Sequence, residues 1–131
     1  MCVLRADGKD FAVDEFLKKS SLKPLMIYYK GSKSFSEKIS NTSGFNVGVS
    51  NAEFEDLKTQ INDVIIFLKR EKEELKRLVE FANIENVTID FAIATPSENI
   101  VIWTRSFPLE LLKLLGSIGI ELDFTVYPES H

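Results

Sequence analysis

The side chains able to do chemistry are few, and their spacing decides what they can do. The chain has one cysteine, Cys2, and one histidine, His131, at opposite ends. Neither sits in a motif, so a Cys–His nucleophilic pair is not assigned, and Cys2 reads as a small buried hydrophobe. One cysteine excludes an internal disulfide and a cysteine-cluster metal site. No phosphate-cradling glycine loop and no nucleophile elbow occurs. What remains are carboxylates, arginines and aromatics on alternating runs. Val87, Ile89, Phe91 and Ile93 are interleaved with Thr88, Asp90, Ala92 and Ala94; Ile120, Leu122, Phe124 and Val126 are interleaved with Glu121, Asp123, Thr125 and Tyr127. Period-two alternation marks strands with one buried face. The polar partners then share the other face. On that face the pattern places Arg5, Tyr28, Asp90, Trp103, Arg105, Glu121, Asp123 and Tyr127. Asp90, Asp123 and Glu121 on neighbouring strands have the chemistry to bind Mg²⁺ or act as acid and base. A solvated face with cross-strand ion pairs accounts for them more simply. Tyr, Trp and Arg together are also the composition of a protein interface. No catalytic residue, metal ligand or cofactor is assigned.

The elements that must position these residues follow from periodicity. Met1–Ala6 reads as a strand. A helix capped by Asp10 covers about residues 11–20, and Leu25–Lys30 reads as a second strand. Gly31–Gly44 is a long, polar, serine-rich loop, functional or disordered in kind, offering Lys33 and Lys38 beside Lys30 as candidate contacts. Phe45–Val49 is a third strand. The stretch Ser50–Ala82 lacks Gly and Pro and repeats apolar residues at helical spacing. Ser50-Asn51-Ala52-Glu53 fits a capping box, with Val49 and Phe54 as its hydrophobic staple. The prediction is one continuous core helix over residues 51–82 rather than a coiled-coil arm, since strands surround it. Val87–Thr95, a turn at Pro96–Asn99, and Ile100–Thr104 form a predicted hairpin. Leu109–Ser117 is a helix opened by Pro108, and Ile120–Tyr127 is the last strand.

The order βαβ-βαβ-βαβ predicts an α+β fold: six strands in a mostly antiparallel or mixed sheet, with three helices on one face. The 131 residues make one domain with a sizeable core. No apolar run reaches the roughly 18 residues of a membrane span. The opening ten residues lack the apolar segment of a secretory signal, so the expected compartment is the cytoplasm. The net charge of −4 hides an asymmetry. Residues 1–50 hold eight Lys/Arg and five Asp/Glu, a balance of +3; the remainder holds eight and fifteen, a balance of −7. Such a chain is a poor general binder of nucleic acid and suits a basic protein partner.

With the elements placed, the chain resembles the bacterial domain-of-unknown-function family 4279. The resemblance rests on Leu4-Arg5, the Phe11–Leu17 helix, Lys30-Gly31, the long middle helix, and the closing run Pro108-Leu109-Glu110-Leu111-Leu112, Ile118-Gly119-Ile120-Glu121-Leu122-Asp123 and Tyr127. Phe45 departs from it, standing where a tryptophan is expected. The resemblance implies a small stand-alone bacterial protein, of a group in which immunity proteins against polymorphic toxins are suspected. It transfers no catalytic residue and no cofactor. Three functions follow as expectations. The first is a non-enzymatic interaction domain that blocks a toxin by binding it. The second is a nucleic-acid or small-ligand module stacking bases on Tyr28 and Trp103. The third is a carboxylate enzyme.

Overall fold

The computed structural model describes residues 1–33, 38–95 and 102–128. In chain order the elements are β1 (Cys2–Gly8), α1 (Val13–Leu17), β2 (Pro24–Tyr28), β3 (Ser43–Ser50), α2 (Leu57–Arg70), α3 (Lys72–Val79), β4 (Asn86–Ala94), α4 (Leu109–Ile118) and β5 (Glu121–Tyr127). The strands form one sheet in the order β2-β3-β1-β4-β5. The first three pairings along that order are antiparallel and β4–β5 is parallel. A parallel neighbour needs a crossover, and α4 lies on it.

Pleat alternation sorts the side chains. Cys2, Leu4 and Ala6 of β1, Phe45 and Val47 of β3, and Val87, Ile89, Phe91 and Ile93 of β4 are buried together with Val64, Leu68, Leu75, Leu78, Leu111 and Leu115 from the helices. A ring cluster of Phe11, Phe16, Phe45 and Phe81 fills the space under α1. The helices pack on this one face. Among the described residues the other face carries no helix.

Among the described residues, five strands and four helices replace the six and three that periodicity predicts. Ile100–Thr104 is the missing strand. Ile100 and Val101, like the predicted turn at Pro96–Asn99, lie outside the described residues; Ile102, Trp103 and Thr104 are described and form no strand. Ile102 is 86% exposed, so its apolar character is not spent on a sheet face. The place beside β4 belongs to β5, which makes the connection a crossover rather than a hairpin. The observed order is βαβ-βααβ-αβ.

The middle helix differs at both its start and its centre. Ser50 is not its cap. The Ser50 hydroxyl accepts from Ala52 N–H, 3.2 Å, and donates to Asp63 Oδ2, 2.6 Å. A bond two residues ahead makes a local turn, which competes with helix initiation. The cap is Asp56, whose carboxylate accepts from Thr59 N–H at 3.1 Å. At Glu71, φ −101° and ψ 16° separate α2 from α3. Backbone bonds still run from Glu71 N–H to Phe67 O and from Leu75 N–H to Glu71 O. The site is therefore a bend, placed where the apolar stripe lapses. The predicted first helix also shortens to Val13–Leu17, with no side-chain cap from Asp10.

Candidate functional site

The helix-free face is built on the outward positions of the strands. Arg5 stands opposite Asn46 on β3 and Thr88 on β4. Asp90 stands opposite Val3 on β1 and Asp123 on β5. Asp90 is only 6% exposed. A carboxylate so enclosed requires partners, and it has two. Arg5 Nη1 donates to Asp90 Oδ2 in an ion pair, and Thr125 Oγ1 reaches Oδ1 at 2.9 Å and Oδ2 at 3.1 Å. The bonds tie β1, β4 and β5 across the face.

A second network lies toward β2. Tyr28 donates to Asp7 Oδ2, 3.3 Å, and Asn86 Nδ2 donates to Asp7 Oδ1, 3.0 Å. Burial, aided by the Asp7 charge and hydrogen bond, pushes the Tyr28 phenol up to about 12. Tyr28 pairs with Gly44, where a Cβ would stand 2.2 Å from Ala6 O and 2.7 Å from the Tyr28 hydroxyl. Only glycine lets that ring cross its neighbour strand. Between the two networks Asn46 Oδ1 is buried with no hydrogen-bond partner among the described residues.

Of the eight residues the alternation assigns to one face, Arg5, Tyr28, Asp90, Glu121, Asp123 and Tyr127 hold outward positions on their strands. Tyr127 is partly committed, since its ring stacks on Phe54 at 5.1 Å. Trp103 and Arg105 are not on a strand. The Arg105 guanidinium lies 5.1 Å over the Trp103 ring. Arg105 also lines a cleft of about 470 Å³ with Asp56, Lys58 and Pro108 at the start of α2, on the helix side of the molecule. Lys30, Lys33 and Lys38 are exposed in the β2–β3 connection. That connection is closed by Gly31 N–H to Ser40 O, 2.8 Å, Ser40 N–H to Ser32 O, 2.9 Å, and a bridge between Lys33 and Ile39; its residues 34–37 lie outside the described part. Sequence reading missed Asp7, Asn46, Asn86 and Thr125. Thr125 was legible by parity, sharing the alternation of Asp123, whereas Asp7 and Asn86 sit at strand ends that the predicted bounds cut off.

The arrangement limits the chemistry. Both Asp90 oxygens are engaged, Oδ2 by Arg5 and Thr125 and Oδ1 by Thr125. Asp123 and Glu121 are exposed and sit two residues apart on β5. Among the described residues no group of three His, Cys, Asp or Glu side chains converges as ligands. None of their helices is long and apolar enough to cross a membrane. What the face offers is a firm, hydrogen-bonded surface with an acidic strip along β5. No curated protein and no solved structure matches the chain. One family does, described as Domain of unknown function (DUF4279), over residues 1–129.

Proposed function

We infer a role from one premise: the chain belongs to the family described as Domain of unknown function (DUF4279). The role is that of a non-enzymatic bacterial interaction domain of the cytoplasm, an immunity protein that neutralises a basic toxin by covering its surface. The observation that carries the reading is the helix-free sheet face. Its centre is fixed by the Arg5–Asp90–Thr125 and Tyr28–Asp7–Asn86 networks, which reduces the ordering cost on binding. Its β5 side presents Glu121 and Asp123, exposed and in no ion pair among the described residues, to a positively charged partner. The commitment of Asp90 to Arg5 speaks against the carboxylate enzyme, and the net charge of −4 speaks against nucleic acid.

The test is co-expression with the product of the adjacent gene. A stoichiometric complex is expected, with the toxicity of that product suppressed. Glu121→Lys with Asp123→Lys weakens the complex and restores toxicity. A chain that purifies alone from its own cells under gentle conditions, and leaves the neighbour's toxicity intact, overturns the reading.

A further inference from the structure

β2 ends the sheet, and among the described residues no backbone group bonds to its outer edge. An unpaired edge is a template for another strand. This one is unusually apolar. Leu25 is 67% exposed, Met26 and Ile27 follow at 47% and 40%, and the exposed Tyr29 comes directly after the strand. Pro24, which has no N–H, stands at the strand's first residue, where it costs the ladder least.

The charges around the edge say what fits it. Lys23 precedes the strand and is exposed. Acids gather at the other end. Asp14 accepts from the Tyr29 hydroxyl at 2.7 Å, and Asp10 lies 3.9 Å from Lys30 Nζ. Glu74 and Glu71, which accept from Ser21 ahead of Lys23, are each paired with an arginine, Arg77 and Arg70, so the edge carries Lys23 as its uncompensated charge at the start and carboxylates at its end. An antiparallel strand related by a two-fold axis near Met26 and Ile27 sets the start of each β2 beside the end of the other. Lys23 then meets the Asp14 and Asp10 end of its mate, and does so twice. Lys30, the like charge nearest that contact, is already faced by Asp10. A foreign strand would have to reproduce this polarity, whereas a second copy carries it by construction.

We propose that this edge is the interface of a homodimer, in which antiparallel β2–β2 pairing joins two five-stranded sheets into one. Leu25 and Met26 line the seam, and the helix-free faces of the two copies become continuous. This contact is separate from the partner-binding face and stands or falls without it.

Sedimentation and light scattering of the intact chain across a concentration series are expected to show a monomer–dimer equilibrium. Leu25→Lys, at a position two-thirds exposed, abolishes the dimer. Lys23→Glu and Asp14→Lys each weaken it about tenfold, because a two-fold interface loses each pair twice. The double reversal K23E/D14K restores it. Amide exchange at residues 25–28 slows as the dimer fills. A monomer at every concentration overturns the proposal, as does a dimer indifferent to L25K and to the charge reversals. Protection of these amides only on adding a different protein assigns the edge to a foreign strand, and equally overturns it.

Discussion

The enclosed Asp90 carboxylate has a donor for each of its oxygens. Asp90→Ala removes the anchor for both Arg5 and Thr125 and is expected to cost about 1–3 kcal/mol; the half-exposed Arg5 recovers water, which keeps the loss below that of a fully buried pair. Thr125→Val keeps the shape, loses one donor, and costs about 1 kcal/mol. Denaturant midpoints at unchanged slope measure both. Gly44→Ala is more severe, since the new Cβ meets backbone at Ala6 O; a loss above about 2 kcal/mol is expected. Burial, ahead of the neighbouring charges, pushes the Cys2 thiol up to about 12 from 9.0. The folded state therefore holds the thiol proton more tightly. Stability is fully present below about pH 9 and falls as the pH climbs toward 12, with Tyr28 adding to the loss from about pH 10. Denaturation at a series of alkaline pH values measures the slope, and Cys2→Ala makes it shallower. At this scale the sequence was informative wherever alternation was clean. The parity of β4 and β5 alone puts Asp90, Glu121 and Asp123 on one face. It failed for Trp103 and Arg105, because an apolar run says nothing about whether a sheet edge is available to receive it.

Helix ends were the hardest elements to read. The cap predicted at Ser50 lies six residues ahead of the observed one at Asp56, and the periodic stripe through Phe54 and Leu57 fits both. Tertiary partners decide between them: Asp63 takes the Ser50 hydroxyl, and Tyr127 takes the Phe54 ring. Gln60 then fastens the intervening segment, its Nε2 bonding Glu53 O at 3.1 Å and Ala92 O at 2.9 Å inside the core. Asp56→Ala lowers the melting temperature, and Asp56→Asn, which keeps an acceptor, lowers it less. The bend at Glu71 has a use that no local pattern reveals. It turns α3 onto α1, where the Arg77 guanidinium lies 4.1 Å over the Phe16 ring and donates to Phe16 O at 3.0 Å. Arg77 also holds Glu74 at 2.5 Å. Burial pushes the Glu74 carboxyl up, but the bonds from Arg77 and Ser21 N–H outweigh it and leave it below its ordinary range. That contribution is present above the ordinary value of 4.5 and fades as the pH drops. Arg77→Ala is expected to cost about 1–3 kcal/mol in thermal or chemical unfolding, and Arg77→Lys restores only part, lacking the planar fork. At the far end of the fold the chain was easier to read. Gly119 ends α4 at φ 99°, the left-handed cap that glycine adopts freely.

For the molecule as a whole, composition and alternation were enough to give the α+β class, while strand number and neighbour order were not. Pairing order is a long-range property: β5 reaches β4 only through α4, and nothing within Glu121–Tyr127 encodes a parallel mate. Charge acts at the same scale. If the acidic β5 side meets a basic partner, association slows with added salt while the dissociation rate changes little, and stopped-flow kinetics across ionic strengths will show it. The strand order has a further consequence for synthesis. β1 leaves the ribosome first yet lies between β3 and β4, so half of its hydrogen bonds wait for residues 86–94. Until then the nascent chain carries a bare, apolar β1 flank, exposed to chaperones and to neighbouring chains. A force-sensing arrest sequence placed behind successive truncations should release only once β4 has cleared the exit tunnel.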